Sequence, residues 1–310
     1  MKPCTMKERV LLFGSTGSLG QFVFWELVQQ NYDVTVVVRD KVKAVELFSY
    51  WANILDLDTK SILDLPQDLF ASFDVVISLL GNRISHSNNM DETGGSDFFV
   101  ANEKILQNAM KNGVKKFGVV APYHDKTYIK QPYFKNHQQF QDQIISSGIN
   151  YTIINSTLLF SSLTRQLKLA DKGKNIIIGE GNAKVNPIFD GDVATLFVQS
   201  LSNDKMLLNC GGPEIFTRLE LAQKLQSFAN GHYNIKRINP LSIPTILPYL
   251  KVRNPIMHDR MAYFYYVNRH DFICTPMGGT TLQNYLNKQH GEKLKNYDRM
   301  RLLQKPLLSR

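Results

Sequence analysis

The chain has only three cysteines in 310 residues, Cys4, Cys210 and Cys274. They stand far apart, without the paired spacings that hold zinc. A disulfide framework and a structural metal site are therefore excluded as organising devices, and the thiols are expected to be inert. Long apolar runs are also missing. No stretch reaches the roughly 18 residues of a membrane-crossing helix, so no membrane span is expected. The polar opening, residues 1–9, lacks the apolar core of a signal peptide, which makes a cytoplasmic location the expectation. No helix-turn-helix, zinc-finger or aromatic ribonucleoprotein pattern occurs. Nucleic acid is not expected as a partner even at a net charge of +9. The basic residues are spread along the chain, with a modest concentration in residues 293–310 that reads as a solvated or docking end.

What is present begins with Gly14-Ser15-Thr16-Gly17-Ser18-Leu19-Gly20. It follows the apolar run 10–13 and precedes a helix-forming run from residue 21 onward, so a buried strand enters a glycine turn and leaves as a helix. A pyrophosphate fits at such a helix N-terminus, where free backbone N–H groups and the positive end of the dipole meet. Gly14 suits the tight turn, Gly17 lets backbone approach phosphate, and Gly20 lets helix and strand pack closely. A second apolar run, residues 34–38, completes a βαβ unit. The alternative is a glycine turn that only packs.

The residue after the second strand chooses the dinucleotide. A carboxylate there accepts from a ribose 2′-hydroxyl, whereas an arginine suits a 2′-phosphate. The position is Arg39, with Lys41 and Lys43 close behind. NADP(H) is the expected cofactor. Asp40 leaves the other choice open if the strand runs one residue further, and the two lysines read equally as a solvated helix start.

Strand-like runs at 53–56, 73–82, 117–121 and 151–155 alternate with helical runs at 42–51, 98–112 and 134–147. The expected fold class is α/β: a doubly wound parallel sheet of Rossmann type with a smaller C-terminal lobe covering a substrate. Residues 1–155 form the dinucleotide-binding core in this reading. Residues 156–310 complete the sheet and form the lobe. The run 73–82 ends beside the cofactor, because ligands of open α/β sheets bind at the carboxyl ends of strands. The polar loop 83–95 reads as a lid. Thr217 with Glu220 has capping-box spacing. Residues 240–250 hold three prolines, so a regular helix throughout is not expected there.

Together these features resemble an atypical, extended-type short-chain dehydrogenase/reductase. Within that group the chain is similar to divinyl chlorophyllide reductase-like, NmrA-like, isoflavone-reductase-like and complex I accessory-subunit-like proteins. The resemblance rests on the glycine loop, on Gly81-Asn82, on residues 147–154, and on Gly191-Asp192-Val193-Ala194. It implies an NADPH-dependent reductase of a small or medium organic molecule. The rival is a non-catalytic NADP(H)-binding sensor or assembly protein. It also implies cofactor contacts from Leu80, Gly81, Asn82 and Ala121, and it aligns the tyrosine and lysine that family catalysts use with Tyr133 and His137. Ala121 stands where a serine is common, and Asn155-Ser156 replaces an Arg-Pro pair. Three readings of Tyr133 and His137 stay open: a proton-delivering pair one helical turn apart, remnants that touch the cofactor without chemistry, or packing residues. Tyr123, His124, Tyr128 and Lys130 are substitutes in the same loop. The expected partners are a substrate the sequence does not name, and a protein partner or a second copy of the chain.

Overall fold

Apolar side chains on both sides of the first strand set up a two-faced core. In β1 (Arg9–Phe13), Val10 and Leu12 enter one cluster while Leu11 and Phe13 enter another, the pattern of a strand buried on both faces. The computed structural model describes residues 7–56, 65–81, 96–229 and 235–292. After β1 come α1 (Ser18–Gln29), β2 (Asp33–Val38), α2 (Lys41–Phe48), β3 (Asn53–Asp56), β4 (Val75–Ser78), α3 (Ser96–Lys111), β5 (Lys116–Pro122), α4 (Pro132–Ser146) and β6 (Asn150–Ser156). Then follow α5 (Phe160–Asp171), two short strands β7 (Ile176–Ile178) and β8 (Lys184–Val185), α6 (Asp190–Ser200) and β9 (Met206–Cys210).

The seven-stranded sheet has the order β3-β2-β1-β4-β5-β6-β9, with every neighbouring pair parallel. Strand addition reverses direction between β1 and β4, and ligands of such sheets bind at that switch point. One face is covered by α1, α2 and α6 through Phe24, Phe48 and Phe197. The other is covered by α3 and α4 through Ile105, Phe140 and Ile144. Full burial of each such side chain contributes about 1.5–3 kcal/mol. This is the α/β doubly wound sheet read from the sequence.

Beyond residue 156 the structure has several elements that the reading did not place, and two of them have a clear physical reason. The strand β9 was not expected, because an edge strand half-buried on alternate residues carries only a short apolar signal. It pairs with β6 from Thr152↔Met206 to Ser156↔Cys210. The proline-rich run does form a helix, α8 (Ser242–Arg253). Pro240 lies before it, and Pro244 sits in the first turn, where a backbone N–H has no intrahelical acceptor to lose. Only Pro248 stands in the interior.

The remaining elements are β10 (Phe216–Thr217), α7 (Arg218–Phe228), β11 (Lys236–Ile238), α9 (Pro255–Val267) and α10 (Leu282–Glu292). β10 pairs with β8 and β11 with β7. Both halves of the Thr217–Glu220 capping box form at the start of α7. A third cluster joins Tyr128, in the loop before α4, and Phe134, in the first turn of α4, to Phe160, Leu225, Val267 and Phe272. This packing brings the second half of the chain against the C-terminal edge of the sheet.

Candidate dinucleotide site

Gly14 has a φ of +79°, and a Cβ there would lie 2.7 Å from the carbonyl carbon of Leu79. The glycine turn therefore presses directly on the exit of β4, at Leu79 and Leu80. A Cβ on Gly20 would run into the carbonyl oxygen of Gly14 and stand 2.8 Å from Cα of Ser15, so this glycine lets α1 close onto the turn. Gly17 is different. Its φ is −75° and ψ 166°, open to any residue, and the nearest atom to an added Cβ is the Gly14 carbonyl oxygen at 3.3 Å. Its missing side chain leaves room over the helix end rather than relieving strain.

That helix end has no side-chain cap and no acidic residue in its first turn. The first N–H groups of an α-helix have no intrahelical acceptor. Ser15 is fully buried in the same turn, and its Oγ has no hydrogen-bond partner. An orphaned buried hydroxyl beside uncapped N–H groups is costly unless an acceptor arrives. The pyrophosphate of a dinucleotide fits that need.

At the end of β2, the strand stops at Val38 and Arg39 is exposed. The Asp40 carboxylate accepts the Lys43 backbone N–H at 3.0 Å and caps α2. A carboxylate held in this way is turned toward its own helix, whereas the Arg39 guanidinium is left at the surface. The side chains of Lys41 and Lys43 are exposed on the first turn. Ala121 is buried near the end of β5, two residues past the Ser78↔Val119 pair, at the same edge of the sheet as Leu80. Thr16, Ser18 and Leu19 lie in the turn and the first turn of α1. Asn82 and the loop 83–95 lie outside the described residues.

The structure does bring Tyr133 and His137 together on α4, their ring centroids 4.7 Å apart and edge to face. Tyr133 also packs on Phe134 at 5.2 Å and on Tyr263 of α9 at 5.0 Å. His137 meets Phe99 at 5.2 Å. Burial raises the Tyr133 phenol above its ordinary value, and the nearby Tyr263 adds to the rise. Burial, with His124 nearby, pushes His137 down to about 3. His137 is consequently neutral at pH 7 and cannot lower the phenol as a lysine cation would.

The substitutes in the preceding loop have structural duties. Both ring nitrogens of His124 are engaged, Nδ1 with the Pro122 carbonyl at 2.8 Å and Nε2 with Gln138 Oε1 at 3.0 Å. The Tyr128 hydroxyl donates to the Asp271 carbonyl at 2.7 Å and the His270 carbonyl at 3.1 Å, tying the loop to the segment that follows α9. Burial raises the Tyr123 phenol too, and Lys130 is exposed. Asn155 is buried in an amide network with Gln141 at 2.8 Å and Asn209 at 2.9 Å. Sequence reasoning missed Tyr263, which the aromatic run 263–266 could have flagged. Among the described residues no cluster of His, Cys, Asp and Glu is placed to hold a metal, and no helix is long and apolar enough to cross a membrane.

Residues 14–204 match the NAD(P)H-binding family, a match that begins at the first glycine of the cradle. The chain belongs to that family. It is 26% identical over 288 residues to the divinyl chlorophyllide a 8-vinyl-reductase of Cucumis sativus, a match covering 82% of this chain and 65% of that protein. It is 30% identical over 157 residues to the photosystem II assembly factor Ycf39 of Cyanidium caldarium, covering 51% of this chain and 49% of that one. The chain thus spans about half to two-thirds of the length of these relatives. The triphenylmethane reductase of Citrobacter sp., solved with NADP(H), shares the fold with a TM-score of 0.67 at 18% identity, covering 90% of this chain and 99% of that one.

Proposed function

We propose that the chain binds NADP(H) and reduces a small or medium-sized conjugated organic substrate without a tyrosine–lysine couple. The observation that carries this is the uncapped glycine cradle with the orphaned Ser15 hydroxyl inside it. Gly14, Gly17 and Gly20 shape the pyrophosphate seat, and Ser15, Thr16, Ser18 and Leu19 wall it. Arg39 pairs with the 2′-phosphate, assisted by Lys43, because Asp40 is occupied as a helix cap. Leu80, Gly81 and Ala121 line the cofactor along the C-terminal edge of the sheet, and Asn82, the next residue in sequence, is assigned to the same contact.

When bound, the reduced dinucleotide supplies a hydride. The protein's share is to hold the substrate beside it and keep water away. Tyr133, packed on Tyr263, closes the site from the lobe side and keeps its own proton, so it offers a hydrogen bond rather than general acid catalysis. His137 holds that ring in place as a neutral partner. A conjugated acceptor suits this site, since its reduction asks less of a side-chain acid than carbonyl reduction does. The vinyl-reductase relative is named for a reaction of that class.

In Tyr133→Phe, turnover is expected to stay within about tenfold of the parent, against the 10²–10⁴-fold loss of a general acid. NADPH oxidation with quinones, enones and triarylmethane dyes measures it. A loss beyond a hundredfold at unchanged NADPH affinity would restore Tyr133 as the proton donor.

A second reading is a non-catalytic NADP(H)-binding assembly or accessory protein. The similarity to an assembly factor favours it, as does the aromatic packing of Tyr133. Tight NADPH binding with no oxidation across that panel would select this reading.

A further inference from the structure

The outer helix α8 carries an apolar face that none of the described residues covers. Ile243 is its buried residue, and α8 packs on α9. On the opposite side Tyr249 is 63% and Val252 83% exposed, with Leu241 at 72% just before the helix. At 100° per residue from the buried Ile243, Pro248, Val252, Thr245 and Tyr249 fall in that order across the outward face. Lys251 and Arg253 flank that face on its two sides. Both are exposed and lie in the last turn. No acidic residue occurs between Glu220 and Asp259; of the cations in that stretch Lys224 and Arg237 pair with Glu214 and Glu180, which leaves Lys236, Lys251 and Arg253.

We propose that α8 lays this chain on the surface of a membrane rich in anionic lipid. An exposed apolar strip edged by cations and free of carboxylates matches the boundary between acyl chains and anionic headgroups. Tyr249 has the amphipathic ring that settles at headgroup depth. With 12 residues, α8 is about 18 Å long, too short to cross a hydrocarbon core of about 30 Å, so it lies in the plane of the surface. The charge of the strip selects lipid over an apolar protein groove, which would leave the two cations without partners. The next helix inward, α9, supplies the Tyr263 that touches Tyr133. A membrane-docked α8 therefore places the proposed site one helix from the lipid.

The proposal does not depend on turnover, and its test reads none. The full chain is floated with vesicles of phosphatidylcholine alone and with vesicles containing about a third phosphatidylglycerol. Binding is expected only to the anionic vesicles, weakening as salt rises. Tyr249→Asp with Val252→Asp, and separately Lys251→Glu with Arg253→Glu, should each weaken that binding roughly tenfold or more at an unchanged melting temperature. The conservative pair Lys251→Arg with Arg253→Lys should retain it. Absence of binding to anionic vesicles overturns the proposal, as does equal binding by the charge-reversed variant. A dimer of the parent chain that the Asp variants abolish, with no lipid binding, would assign the strip to a second copy and also overturn it.

Discussion

Gly17→Val is expected to weaken dinucleotide binding by at least a hundredfold while leaving the chain folded. Gly17 has an extended conformation that valine adopts without strain, and its nearest obstacle, the Gly14 carbonyl oxygen, is 3.3 Å from the added Cβ. The fold therefore tolerates the change at a small cost. The two valine methyls, however, project over the helix end where backbone must meet pyrophosphate. Circular dichroism and calorimetric titration with NADPH on one sample separate the effects. Gly14 and Gly20 would not make this distinction, because a Cβ at either meets backbone. A Gly17→Val protein that binds NADPH normally would reduce the loop to a packing turn.

The second large effect is on stability. The unfolded chain protonates a histidine near its ordinary value of 6.5, whereas folded His137 takes a proton only at about 3. Between these values the unfolded state holds more protons. The stability from the neutral buried ring is thus fully present above pH 6.5 and is lost as pH falls toward 3, by up to about 1.4 kcal/mol per pH unit. Between pH 7 and pH 4 the parent should lose about 3 kcal/mol more than His137→Phe, whose ring keeps the edge contacts to Tyr133 and Phe99. Asp74 and Glu220, whose pKa values are lowered chiefly by backbone N–H donors, add acid sensitivity of their own. They remain in the variant and cancel in the comparison. Urea unfolding at pH 7, 5.5 and 4 gives the difference. Parallel profiles would mean that His137 titrates in the folded protein as it does in the unfolded one, so that burial does not hold its ring neutral.

The parts that were legible in the sequence are those whose chemistry is local. The glycine loop could be read because turn, phosphate seat and helix packing each demand glycine at a fixed offset along a single βαβ unit. The inner strands could be read because β1 and β4 are buried on both faces and appear as unbroken apolar runs. The strand β9 could not, since an edge strand with exposed Leu207 has no such run. The helix α8 was misjudged by counting prolines without placing them, although Pro244 in a first turn costs no hydrogen bond. The choice between Arg39 and Asp40 turned on where β2 ends and on one capping bond, which sequence spacing alone leaves open. The surroundings of Tyr133 were out of reach for another reason. Tyr263 arrives from α9, far along the chain, and its ring packs on the phenol.

The most direct test of the NADP(H) site is calorimetric titration of the chain with NADPH and NADH, repeated on Arg39→Ala. NADPH should bind at least tenfold more tightly than NADH. The Arg39→Ala change should weaken NADPH by about 10–150-fold, the range for a charge-assisted contact of about 1.5–3 kcal/mol, and leave NADH unchanged. Equal affinities for the two dinucleotides, or an Arg39→Ala protein that still prefers NADPH to the same degree, would contradict the assignment of the 2′-phosphate to Arg39.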